Sequence, residues 1–222
     1  MVPLDELTVA AAVRLQESLA PSVVRAPPPG FAPKTAAGLD VAYATDSDAV
    51  AAAVVTVSIA TGAVLESATV VGTAGFPYVP GLFAFRELPA LLEAFARLRT
   101  APDLLVADGH GIAHPRRFGL ACHLGVTTGL PTIGVAKTPL GDYDPPGPER
   151  GATSDLVENG ERVGVALRTR PHVKPVFVSI GHLVDLPTAC EQVLSLSKRF
   201  RLPETTRQAD HRCRQTLRDM AR

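Results

Sequence analysis

Between Thr35 and Ala74 the chain runs through three short Val/Ala-rich stretches, TAAGLDVAYA, AVAAAVVTVSIA and AVLESATVVGTA, separated only by DSD and TG. Breaks this short suit hairpins, so the pattern predicts three consecutive antiparallel strands. Ahead of them, residues 4–20 read as a helix ended by Pro21 and the loop APPPGFAP. Behind them, Leu82, Phe85, Leu88, Leu91 or Leu92, Phe95 and Leu98 recur at helical spacing and predict a helix over 82–99. DLLVAD and PTIGVAK read as short buried strands flanking a helix in HPRRFGLACHLG, opened by Pro115. After the prolines of 145–148 come strand-like runs at 163–168 and 175–179, then helices over about 187–200 and 203–219. Antiparallel strands followed by strand–helix alternation imply an α/β fold, with parallel strands completing a mixed sheet and helices on both faces. In such sheets, sites form beyond strand ends.

The 222 residues suit a single domain spanning 1–222, with no repeat or convincing linker. Three cysteines without CxxC spacing argue against a disulfide framework or a thiolate zinc site and fit a reducing compartment. The N-terminal stretch carries acids where a signal peptide carries bases, and no apolar run is long enough for a membrane span. A cytoplasmic location away from membranes is therefore expected. A formal net charge of zero gives no global warrant for a nucleic-acid partner. The distribution is more permissive: residues 198–222 hold eight Lys/Arg against three Asp/Glu, and residues 1–60 three against six. No long apolar helical stripe calls for a dimer, so a monomer is expected.

The carboxylates carry the chemistry. Asp40 lies inside the first strand and Asp108 ends DLLVAD. An aspartate at a strand end also commonly caps the next turn. Glu87 is harder to dismiss, because its helical neighbours are Phe83, Ala84, Ala90 and Leu91. Glu93, with Arg97 one turn on, reads as a surface pair. A carboxylate on an apolar face needs a partner. If the first and fourth strands are neighbours, Asp40 and Asp108 point at one spot with Glu87 above it. Three hard oxygen ligands favour Mg²⁺ or Mn²⁺, and such clusters activate water for phosphoryl chemistry. Arg116, Arg117 and Lys137 then stand near the strand ends as phosphate partners.

The blocks GLDVAY, FPYVPGLFAFRELPALLEA, DGHGIAHPRRFGLACHLG, IGVAKTPL, VSIGH and LPETTRQAD, in that order from about residue 36 to 210, resemble the endonuclease V family of deoxyinosine-directed repair nucleases. The resemblance implies a ribonuclease-H-like fold. It implies Asp40, Glu87 and Asp108 as acids binding Mg²⁺, with Mn²⁺ as a substitute, and a fourth ligand at Asp210, with His211 adjacent as the alternative. Lys137 would stabilise the pentacoordinate phosphate, and His114 would approach that phosphate or its water. Arg116 and Arg117 would hold backbone phosphates or brace the fold.

By the same resemblance, Tyr78 in the stiff loop formed with Pro77, Val79 and Pro80 is a wedge that enters the duplex where the damaged base leaves. A proline-rich turn laying its Tyr on the surface is the plainer alternative. The flipped hypoxanthine would be read by close backbone approach around Gly81, Leu82, Gly109 and His110, with Gly111 read as a turn glycine and His123 as structural. The implied reaction is hydrolysis of the second phosphodiester bond on the 3′ side of deoxyinosine, in double- or single-stranded DNA, leaving 3′-hydroxyl and 5′-phosphate ends. The rival readings are a nuclease acting on inosine in RNA, a catalytically silent nucleic-acid-binding protein and a small-molecule phosphohydrolase.

Overall fold

The computed structural model describes residues 7–45 and 47–220. Its centre is an eight-stranded sheet in the order β3-β2-β1-β4-β5-β8-β7-β6. The three Val/Ala-rich stretches form the expected antiparallel meander of β1 (Thr35–Tyr43), β2 (Ala49–Ser58) and β3 (Val64–Thr73). Helix α2 (Phe83–Ala96) then crosses over to β4 (Leu104–Ala107), which pairs parallel with β1. Helix α3 (Leu120–Thr128) leads in the same way to β5 (Thr132–Ala136), parallel to β4.

Parallel pairing stops at β5. β6 (Thr153–Glu158), β7 (Glu161–Leu167) and β8 (Val176–His182) add an antiparallel extension, with β8 paired to β5. The sequence reading had no strand at 153–158. Its one available signal is Asn159-Gly160, both with positive φ (54° and 76°), the backbone that a two-residue hairpin turn requires.

Alternation along the inner strands sorts side chains to two faces. Ala37, Leu39, Val41, Leu105 and Ala107 pack on α2 and α3. Ala36, Leu104, Val106, Ile133 and Val135 face the other way, toward α4 (Leu186–Leu196) and Ala209 of α5 (Glu204–Met220). Helices therefore cover both faces, as the ribonuclease-H-like expectation requires. The N-terminal helix α1 runs Val9–Leu19, with the Thr8 hydroxyl accepting from the Ala11 amide (3.2 Å). Residues 4–6 of the longer predicted helix lie outside the described residues. Among the described residues no helix is long and apolar enough to cross a membrane.

One prediction needs correction. The helix expected to open at Pro115 begins five residues later, at Leu120, and residues 110–119 form irregular turns. Tertiary packing overrides the proline signal here. A Cβ on Gly111 would lie 1.9 Å from the Ile180 carbonyl oxygen, and one on Gly119 2.3 Å from that of His110. The segment is folded tightly on itself and against β8, and Arg117 adopts φ 54° within it.

α5 reaches β1 at an equally close approach, since a Cβ on Gly38 would stand 2.2 Å from the Thr205 carbonyl group. Gly38→Ala therefore forces helix and sheet apart. A destabilisation of about 2–3 kcal/mol is expected in urea unfolding, and an unchanged midpoint would contradict this packing.

Candidate active site

The β1–β4 pairing sets the site. Leu39 lies opposite Ala107, so the next residues, Asp40 within β1 and Asp108 just beyond β4, stand at the same level on adjacent parallel strands. The Asp108 amide points toward the Leu39 carbonyl (3.4 Å). α2, lying over the Leu39 face, brings Glu87 to the same strand ends, 4% exposed. All three acids line one cavity of about 700 Å³, which is also bordered by Lys137, Tyr78, Gly81, Gly109, His110, His114 and Arg116. Glu93, by contrast, is on the surface with Arg97 at 2.7 Å, as its spacing predicts.

The acids sense one another. Burial, then the charge of Asp108, pushes the Asp40 carboxyl up to about 7, with Lys137 opposing. Burial, then Asp40, holds Glu87 well above the usual carboxylate range. The Tyr43 hydroxyl donates to Glu87 Oε1 (3.0 Å), and the Arg86 guanidinium lies 4.9 Å over the Tyr43 ring. Lys137, at the end of β5, donates to Asp108. Burial alone would lower its pKa, but Asp108 and more weakly Asp40 and Asp210 raise it overall. Tyr43 was not singled out in the sequence. Its position three residues after Asp40, on the α2 face of β1, was the available signal.

Among the described residues, no three His, Cys, Asp or Glu side chains form a close-set group of the kind that encloses a metal ion. The acids border a cavity instead. Carboxylate oxygens are hard donors of the kind that Mg²⁺ and Mn²⁺ take, directly or through water. The donor chemistry fits as well: hard oxygens, mutually repelling, with Lys137 as the cation beside them.

Asp210 comes from α5 and lines a smaller neighbouring cavity with Val41, Tyr43 and Arg214. It acts on Asp40 at a distance and pairs with Arg214 at 2.8 Å. His211 is exposed and lines neither cavity.

The loop after β3 is anchored at both ends. Phe76 and Leu82 are buried with Phe85 and Ala12, Val79 packs against them, and the Phe76 carbonyl accepts from Arg86 (2.8 Å). Between these anchors Pro77 and Pro80 are exposed and Tyr78 is 73% exposed at the cavity mouth. Gly81 has φ 77°, and a Cβ there would meet Arg116 Nη2 at 2.8 Å. At Gly109 a Cβ would find only ordinary contact with Leu120.

His114 and both arginines already hold partners, whereas the buried Nδ1 of His110 has none among the described residues. His114 Nε2 donates to the Gly81 carbonyl (3.0 Å) and Nδ1 accepts from the Arg116 amide (3.2 Å). Burial and the nearby Arg116 bring its pKa down to about 4. The expected approach of His114 to a phosphate thus finds no free ring nitrogen. His110 donates to the Thr138 carbonyl (3.0 Å). His123 is buried between Phe85 and Phe118, with ring centroids 5.2 Å away in each case, a structural position. Arg117 is spent on Glu158 and Glu161, so its contacts support bracing of the fold. Arg116 faces the cavity, but Gln16 and Gly81 hold its guanidinium.

Comparison with known proteins agrees with this geometry. An endonuclease V from Nocardia farcinica is 59% identical over 213 residues, covering 95% of this chain and 93% of that protein. The crystal structure of the endonuclease V from Streptomyces avermitilis superposes with a TM-score of 0.90 at 50% identity, covering 97% and 95% of the two chains. The Ciona intestinalis endonuclease V, in complex with a 24mer DNA containing an inosine followed by a ribo-adenosine, gives 0.86 at 27% identity over 96% and 98%. The family described as Endonuclease V matches residues 17–211, and with these relatives it shows that the chain belongs to the endonuclease V family of nucleases.

Proposed function

We propose that this protein is a DNA repair endonuclease that nicks a strand at the second phosphodiester bond 3′ to deoxyinosine, leaving 3′-hydroxyl and 5′-phosphate ends. The observation that carries the reading is one cavity bordered by Asp40, Glu87, Asp108 and Lys137 with the exposed Tyr78 at its mouth. The inosine-containing DNA bound by the Ciona relative supports the choice of substrate. Asp40, Glu87 and Asp108, with Asp210 from α5, would hold Mg²⁺ or Mn²⁺. The bound ion would supply Lewis-acid charge at the phosphoryl oxygens. Asp40 and Asp108 orient the attacking water in line with the scissile bond, and Lys137 offsets the negative charge that grows on the phosphorus oxygens. Tyr78 offers a π-face in place of the departed base, while Gly81, Leu82, Gly109 and His110 surround that base. A ribonuclease reading is kept because the relative's ligand carries a ribonucleotide next to its inosine; matched DNA and RNA strands decide between the two.

Asp40→Ala and Asp108→Ala are each expected to lower nicking of an inosine-containing strand by roughly 1,000-fold or more, while a gel-shift assay still detects binding. Full activity in either variant removes the acids from the mechanism. Mapping the product ends on the unaltered protein, with Mg²⁺ and with chelator, tests the position of the cut.

Base–aromatic stacking is worth ~1–3 kcal/mol, roughly thirtyfold in rate at its midpoint. Tyr78→Ala should lose about that factor on matched inosine duplex and markedly less on single strand. Equal losses on the two substrates refute the wedge.

The raised Asp40 pKa makes a stability prediction with a definite sign. The folded protein binds that proton more tightly than the unfolded chain, so the associated stability is complete below pH 3.8 and lost as pH rises through about 7. Asp40→Asn should therefore melt several degrees higher than the natural protein at pH 8 in chelator, and the gap should close below pH 4. A lower melting point for Asp40→Asn at pH 8 contradicts the electrostatic assignment.

A further inference from the structure

We propose that Gln16 of α1 is a positioning residue that fixes the Gly81 carbonyl and the Arg116 guanidinium as the wall of the base cavity, an inference that rests on the deoxyinosine reading. Gln16 is 0% exposed although it sits in a surface helix. Its whole polar end is used. Nε2 donates to the Gly81 carbonyl (3.1 Å) and to the Phe118 carbonyl (2.9 Å), while Oε1 accepts from Arg116 Nε (2.6 Å). The partners fix the amide's orientation, because turning it over would set its NH₂ against a guanidinium and its oxygen against two carbonyls.

These bonds join segments 65 to 102 residues apart in the chain: α1, the end of the Tyr78 loop and the turns after β4. One of them meets two further bonds at a single atom. The Gly81 carbonyl oxygen accepts from Gln16, from His114 Nε2 (3.0 Å) and from Arg116 Nη2 (2.7 Å), more donors than it has lone pairs. An oxygen pinned from three sides, on a residue at φ 77°, has no freedom to reorient. Gln16, Gly81, His114 and Arg116 all face the cavity. None of them bonds to Asp40, Glu87 or Asp108, so the bracing acts on base acceptance and leaves the hydrolytic end untouched. α1 is accordingly a strap: Ala12 packs with Phe76, Leu82 and Phe85, and Gln16, one turn on, supplies the polar lock.

Gln16→Met keeps the size and removes all three bonds. Gln16→Glu keeps the acceptor for Arg116 and loses both donors. The test is steady-state nicking of an inosine-containing single strand with Mg²⁺, together with hydrogen–deuterium exchange of the free proteins. Gln16→Met should raise KM by roughly fivefold or more with kcat within about twofold, and Gln16→Glu should fall in between. Amides of 76–82 and 114–118 should exchange faster in Gln16→Met, with those of β1 and β4 unchanged. Unaltered KM with unaltered exchange at 76–82 overturns the proposal, as does a fall in kcat alone. Exchange rising uniformly through β1 and β4 in both variants also overturns it, since that marks a general structural role. If the natural protein fails to nick the inosine strand, the deoxyinosine reading falls, and the exchange data still decide whether Gln16 braces the loop.

Discussion

Mutual repulsion among carboxylates gathered where β1 runs past the end of β4 is the constraint around which this molecule is arranged. Asp40, Glu87 and Asp108 come from two strands and a helix, and burial plus proximity penalises the charge of Asp40 and of Glu87. Nothing in folding alone favours such a gathering. The structure tolerates it through specific offsets: Lys137 on Asp108, and the Tyr43 hydroxyl on Glu87 with Arg86 stacked behind it. The same closeness that strains the free protein concentrates negative potential in the cavity, the kind of stability cost that functional sites carry.

The framework that bears the site was readable in advance wherever the information was local or periodic. Val/Ala-rich runs with short breaks mark β1–β3, and helical spacing marks α2 with Glu87 on its apolar side. Once β1 and β4 were assumed neighbours, the level placement of Asp40 and Asp108 followed from parallel register. What escaped was non-local. The turns at 115–119 read as a helix start because Pro115 imitates one, while Gly111 and Gly119 let strands and loops touch. β6 carries mostly polar residues along the sheet edge, so periodicity said little, and only Asn159-Gly160 marked the hairpin.

The same distinction runs through the functional residues. Carboxylates and the Tyr78 loop stood out because residue type and spacing announce their chemistry. Gln16 and Tyr43 did not, since each matters through a partner dozens of residues away. The basic side chains beside the site divide on inspection of what they touch. Lys137 meets an acid at the strand ends, whereas Arg117 is absorbed by Glu158 and Glu161 and Arg116 by Gln16 and Gly81.

The chain has three tyrosines and no tryptophan, which has an optical consequence. Its near-ultraviolet emission belongs to Tyr43, Tyr78 and Tyr143 alone. The Tyr43 hydroxyl donates a hydrogen bond to a carboxylate, a contact that quenches phenol fluorescence, and Tyr143 is packed edge-on against Phe177 (4.9 Å between ring centres). The solvent-facing Tyr78 ring is then the emitter most open to change. A nucleobase stacking on that ring would dim the protein's intrinsic light, so contact there could be followed without any added label.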